Sequence, residues 1–290
     1  MKRIIAFLLA LTMLSGFGAA FAIEKGQARA VVGADITEAQ KASVYQSFGI
    51  EQGSVTELTV KNSEEREYLD GLVAESIIGT RSISCVYIET LAEGKGLQVE
   101  VSNVDWCTKE MYINALVTAG ITDAKLIVTS PVVVSGTAAL TGVYKAYEDI
   151  TGEKLDESAK LAGTQELVVT AELADEIGSY DAVAIVNELK LILGDTVNMT
   201  DEELREEIIK IAKDYNVNIS DGQITQIIKL VRSLEGLDDD ALKQRVEQAQ
   251  EWIQTIAKAQ TTVQQVAQSV KEFFVAVGDF LKNVFGSKSE

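Results

Sequence analysis

Two hydrophobic periodicities divide the chain. Up to about Thr151, short β-branched apolar runs alternate with amphipathic stretches; beyond it, apolar positions recur almost everywhere at spacings of three and four. In the first part the pattern predicts strands at Val55–Val60, Ile83–Ile88, Leu97–Val101 and Ala124–Val128. A helix is expected to open at the capping-box sequence Asp35-Ile36-Thr37-Glu38 and run to about Phe48. Further helices are expected over Ser63–Ile77, where Tyr68, Leu69, Leu72 and Val73 share a face, over Thr108 to about Thr118, and from Gly136 to Ile150. The turn Glu93-Gly94-Lys95-Gly96 reads as the link of a β-hairpin. From Val55 to Val128 the order is β-α-β-β-α-β, that of the ferredoxin-like split βαβ unit, in which helices cover one face of a four-stranded antiparallel sheet. The expected fold class is α+β.

The second part predicts successive helices at Glu157–Ile177, Asp181–Leu193, Asp201–Tyr215 and Asp221–Leu234, then a long segment from Asp239. Thr200 with Glu203 fits a capping box, and Ser220 and Asp238 can cap the helices after them. In the last segment Leu242, Val246, Ala249, Ile253, Ile256, Gln260, Val263, Ala267, Val270, Phe274, Val277, Leu281 and Val284 keep a strict 4-3 spacing. As one continuous helix this would reach roughly 65–70 Å. A second row, Trp252, Ala259, Val266, Phe273 and Phe280, widens the stripe, which suits a bundle helix or helical hairpin better than a two-stranded coiled coil. The expected division is therefore a leader at 1–22, an α+β domain at 23–152, and a helical domain at 153–290 that ends in the amphipathic segment 239–285.

The leader follows from the first residues. Lys2-Arg3 precede an apolar run from Ile4 to Leu14, and small residues end in Ala20-Phe21-Ala22, as a signal peptide cut after Ala22 requires. The run is shorter than the roughly 20 residues of a spanning helix, and no later stretch qualifies, so no transmembrane helix is expected in the mature chain. The expected location is secreted or extracytoplasmic, at the cell envelope.

Composition then narrows the chemistry. Histidine is absent, which excludes Ser-His-Asp and Cys-His catalysis and the usual zinc hydrolase sites. The formal charge is −18, or −20 without Lys2 and Arg3, so nucleic acid is excluded as a partner on electrostatic grounds. No cofactor is expected. Cys85 and Cys107 are the only cysteines, in a compartment that permits a disulfide. A simple hairpin sets Cys85 opposite Val104 and Cys107 on the other face; a bulge would correct the register, so pairing stays open.

Two loops carry candidate ligand chemistry. Asn103, Asp105, Trp106 and Thr108, with Tyr112 and Asn114 within two turns, gather amide, carboxylate, indole and hydroxyl groups fit for a sugar or peptide. Capping by Asp105 or Thr108 and core filling by Trp106 explain the same residues without a ligand. Ser135, Gly136 and Thr137 open a helix whose N–H groups and hydroxyls can hold an anion, although no Lys follows as in a phosphate loop. An N-cap followed by small, closely packing residues is the simpler account of that run. The Asp214–Thr225 stretch fails as a calcium loop, with Ile219 where Gly is needed and Thr225 where Glu is needed. Paired carboxylates for glycoside cleavage cannot be singled out among 44 acidic residues.

Several stretches agree in order with one family. Gly33-Ala34-Asp35-Ile36-Thr37, Gly79-Thr80-Arg81-Ser82-Ile83-Ser84, Met111–Gly120, and Ser135–Gly142 followed by Lys145-Ala146-Tyr147-Glu148 resemble the YpuA-like family, exported proteins mostly from Firmicutes that carry a domain of unknown function. The resemblance implies no established activity, cofactor or catalytic residue. It also implies other small or apolar residues at positions 85 and 107, so a disulfide would not be a family feature.

The expected function is a non-enzymatic binding or interaction protein at the envelope or outside the cell. In that reading the α+β head binds a ligand, and the helical region self-associates or docks on an envelope component. One alternative is peripheral contact with a membrane surface through Phe273, Phe274, Phe280, Leu281 and Phe285, with Lys271 and Lys282 nearby. Another is a carboxylate-based cell-wall hydrolase, for which export is the only motive.

Overall fold

The first strand has no alternation to announce it. β1 (Ala28–Gly33) is buried on both faces, with Ala30 and Val32 in one apolar cluster and Val31 in another. Period-two reasoning misses such a strand, and it was not among the expected elements. The computed structural model describes residues 27–253. The leader at 1–22 and the amphipathic stripe beyond Ile253 lie outside the described residues.

After β1 come α1 (Glu38–Phe48), β2 (Thr56–Val60), α2 (Asn62–Leu69), the single turn α3 (Glu75–Ile78), β3 (Cys85–Thr90), β4 (Leu97–Val101), α4 (Lys109–Thr118), β5 (Ala124–Thr129) and α5 (Thr137–Thr151). The helix expected over Ser63–Ile77 is thus two pieces, parted at Asp70-Gly71. Thr37 rather than Asp35 caps α1, in a capping box with Gln40, and the Asp35 carboxylate accepts instead from the Ser82 N–H at 2.7 Å.

The five strands form one mixed sheet in the order β2-β1-β3-β5-β4. β1 runs parallel to β2 and β4 parallel to β5, while β3 is antiparallel to both its neighbours, β1 and β5. This corrects the ferredoxin-like expectation. The Glu93–Gly96 link does not close a hairpin, because β5 inserts between β3 and β4; Asp123, just before β5, ties the link by accepting from the N–H of Gly96 (2.8 Å) and of Leu91 (3.0 Å). Cys85 therefore faces Thr129, not Val104. Helices also cover both faces rather than one: α1 packs Val44, Tyr45 and Phe48 beside Cys85 and Tyr87, and α4 and α5 pack against Val86, Ile88, Leu126 and Val128 on the other side. The α+β class itself holds, with a sheet first and helices after.

The helical part comprises α6 (Glu157–Ile177), α7 (Ser179–Leu191), the short α8 (Leu193–Thr196), α9 (Asp201–Asp214), α10 (Asp221–Leu234) and a helix over 239–253, here α11. The caps at Thr200, Ser220 and Asp238 are made, the last by Asp238 Oδ1 accepting from the Ala241 N–H at 3.0 Å. Leu242, Val246, Ala249 and Ile253 are buried, so the described part of the 4-3 stripe faces the protein's own core. A single apolar cluster runs from the sheet through α4 and α5 into α6, α7, α9, α10 and α11. α6 lies close on α4 because position 163 is glycine: a Cβ there would stand 2.6 Å from the Ala115 carbonyl oxygen.

Candidate functional site

Because β1, β2, β4 and β5 point one way, their following segments gather at one end of the sheet. Ligands of open α/β sheets enter crevices outside the carboxyl ends of strands. Here that end holds a cavity of about 560 Å³. Its walls come from α2 after β2, the loop after β4, the loop after β5, and the segment 76–84 that leads into β3. Cys85↔Thr129 is the first β3–β5 pair, and beyond it the two chains part around the cavity.

The two candidate loops meet there. Backbone hydrogen bonds stitch them side by side: Val134 N–H to the Asn103 carbonyl (3.2 Å), Asp105 N–H to the Val134 carbonyl (3.1 Å) and Cys107 N–H to the Ser135 carbonyl (3.1 Å). Asp105, Trp106, Ser135 and Thr137 all line the cavity. Trp106 is half-buried, and its Nε1–H donates to Asp175 Oδ2 at 3.2 Å, which fixes the ring. Asp105 is exposed at the loop and does not cap the helix.

The other sequence candidates serve the frame. Asn103 adopts a left-handed φ of 54° and its amide donates to the Ser130 carbonyl at 2.7 Å. Thr108 is the N-cap residue of α4. Asn114 is buried on α4 and does not line the cavity. Gly136 ends the loop at φ 96°, where a Cβ would press on Val104 and on the Tyr112 hydroxyl; Tyr112 donates to the Gly136 carbonyl at 2.6 Å. Only glycine meets both demands.

Sequence reasoning missed a buried carboxyl in the cavity wall. Glu65, on α2, is 1% exposed and lines the cavity. Its Oε1 accepts from Thr137 Oγ1 at 2.6 Å and its Oε2 from Asn62 Nδ2 at 3.4 Å. Burial raises its pKa to about 7 against those two hydrogen bonds and the nearby Arg66 charge. The run Glu64-Glu65-Arg66-Glu67 looks like a solvated helix face, and nothing in it distinguishes position 65. Arg81, also missed as a site residue, lines the cavity and donates to the Asp35 carbonyl at 2.8 Å.

The open question of a Cys85–Cys107 disulfide resolves to two free, buried thiols in separate apolar clusters. Burial raises both thiol pKa values, that of Cys85 to about 11. Among the described residues no group of three or more Cys, Asp or Glu side chains is placed to hold a metal ion. Nor, among them, is any helix long and apolar enough to cross a membrane.

No solved structure matches the chain. A relative, the "Uncharacterized protein YpuA" of Bacillus subtilis (strain 168), is 35% identical over 263 residues, covering 90% of each chain. Residues 32–252, which include every cavity-lining residue, match the family described as "Protein of unknown function (DUF1002)", and the chain belongs to that family.

Proposed function

We propose that this protein is exported and works as a non-catalytic binding protein, taking a small ligand into the cavity at the carboxyl ends of β4 and β5. The observation that carries the reading is the convergence of four separate segments on one cavity of about 560 Å³ with a buried carboxyl in its wall. That is the size of small-molecule sites, and the wall is mixed, with Ile83, Trp106 and Val134 beside Glu65, Arg81, Ser135 and Thr137. The leader-like residues 1–22 support export. The described part of the 4-3 stripe lies within the fold, which leaves the cavity rather than that stripe as the support for a binding role.

Fractionation of producing cells combined with a thermal-shift screen of sugars, amino acids and short peptides tests this. The protein is expected outside the cytoplasm, and at least one ligand class is expected to raise Tm by about 2 °C or more. That gain should vanish in Trp106→Ala. Retention in the cytoplasm overturns the export half, and ligand gains that survive Trp106→Ala overturn the site.

One observation favours a second reading. Glu65, protonated up to about pH 7, and the exposed Asp105 line the same cavity, as an acid and a carboxylate do in glycosidases. Release of reducing ends from wall glycan, abolished by both Glu65→Gln and Asp105→Asn, would favour hydrolysis over binding.

A further inference from the structure

Glu65 has no cation. Buried carboxylates are ordinarily paired, because an isolated buried charge is costly. Both donors to Glu65 are uncharged, the Thr137 hydroxyl and the Asn62 amide, and among the described residues no Lys or Arg makes an ion pair with it. The nearby cations are committed elsewhere. Arg66 turns to Asp70 (3.0 Å) and Glu75 (2.7 Å), Lys145 to Glu64 (2.6 Å), and Arg81 to the Asp35 carbonyl.

The hydroxyls beside Glu65 have also used their hydrogens. Thr137 donates to Glu65, and Ser135 Oγ donates to the Ile77 carbonyl at 3.0 Å. The two hydroxyl oxygens lie 3.4 Å apart, and what each still offers is lone pairs. Above about pH 7, where Glu65 has released its proton, this patch of the wall is a cluster of acceptors, and a donor-rich positive group completes it. The exposed Asp105 on the loop and the −18 charge of the chain attract the same sign. Trp106 supplies an aromatic surface for a cation or its aliphatic stem.

We propose that the cavity binds a primary ammonium group, held by the Glu65 carboxylate and the Ser135 hydroxyl, with Trp106 against the ligand body. The inference rests on the binding reading above and names the ligand class for that site. An ammonium has three donors for this acceptor cluster, and the charge-assisted bond to Glu65 supplies the missing partner. An amino sugar and a straight-chain amine share this chemistry.

The purified protein is titrated, by ligand-observed NMR, with glucosamine, cadaverine, N-acetylglucosamine, 1,5-pentanediol and inorganic phosphate. Wild type is compared with Glu65→Gln, Ser135→Ala and Trp106→Ala. At least one amine is expected to bind, roughly tenfold or more tighter than its neutral counterpart, and Glu65→Gln should remove that advantage. Glucosamine against cadaverine separates the sugar from the straight-chain source. Far-UV circular dichroism checks that Glu65→Gln folds; if it does not, loss of amine binding in Ser135→Ala carries the test. The inference is overturned if the neutral analogue binds as tightly as the amine, if Glu65→Gln leaves amine affinity unchanged, or if phosphate displaces the amine. Neutral binding that depends on Trp106 overturns the ammonium while the cavity stands. If no probe responds to Trp106→Ala, both fall.

Discussion

Lys190 Nζ on α7 lies 2.8 Å from Glu166 Oε1 on α6, and neither side chain is exposed to solvent. Thr118 on α4 donates to the other Glu166 oxygen, so three helices meet on one buried pair. Burial pushes Glu166 up and Lys190 down, each toward its neutral form, while their mutual contact opposes both shifts. Removing one partner strands the other. Glu166→Gln is expected to destabilise the protein by about 3–5 kcal/mol in urea unfolding, and the double variant Glu166→Met/Lys190→Met should recover most of that loss. Equal loss in single and double variants would show that the pair does not act as a unit.

Stability should also depend on pH through Glu65. Its folded pKa, about 7, stands above the ordinary carboxyl value of 4.5, so the folded state holds a proton that the unfolded chain has released. Its contribution is complete below about pH 4.5 and is lost as pH rises to 7 and beyond. Arg66 and Asn62 on α2, Thr137 on α5, and Cys107 and Tyr112 by α4 surround it, and the last two have pKa values raised far enough to stay neutral throughout. Urea midpoints measured from pH 5 to 8 should fall for wild type, and Glu65→Gln should flatten that fall by roughly 3 kcal/mol or less. Parallel wild-type and variant curves would refute the assignment.

Gly163→Ala tests the close approach of α6 to α4. The added methyl would meet the Ala115 carbonyl at 2.6 Å and the Tyr144 hydroxyl at 2.9 Å, at an expected cost of about 1–3 kcal/mol. Gly222→Ala, near the start of α10, meets only Ser220 Oγ at 4.0 Å and should be neutral or stabilising by up to about 1 kcal/mol. Thermal melts of the two variants should separate clearly, and similar Tm values would count against the packing.

Both thiols are buried and protonated, so a thiolate-detecting reagent should react slowly with native protein. After denaturation two thiols per chain should appear, without reductant. A titre of zero would mean that Cys85 and Cys107 are bridged.

Helices and caps were legible because their signals are local: Thr200 with Glu203 needs only its own turn. β1 was not, since burial on both faces erases the alternation that marks a strand. Strand order was also hidden, because the insertion of β5 beside β3 depends on the α4 crossover and not on the Glu93–Gly96 link. Part of the candidate site was readable: Asp105, Trp106 and Ser135 stand in loops, and Thr137 opens α5, with residue types that suit a ligand. Glu65 was invisible, because its role comes from a hydroxyl 72 positions away in the chain.

The apolar cluster that runs unbroken from β1 to Ile253 bears on how this protein can be dissected. Cutting near Thr151 would strip α6 from α4 and lay bare Ala115, Leu116 and the face of α4 that α6 covers. Neither fragment would inherit a finished interior, so deletions would report on misfolding and turnover rather than on where activity resides. Point substitutions in the intact chain are the instrument this architecture permits, and heat should melt sheet and helices together.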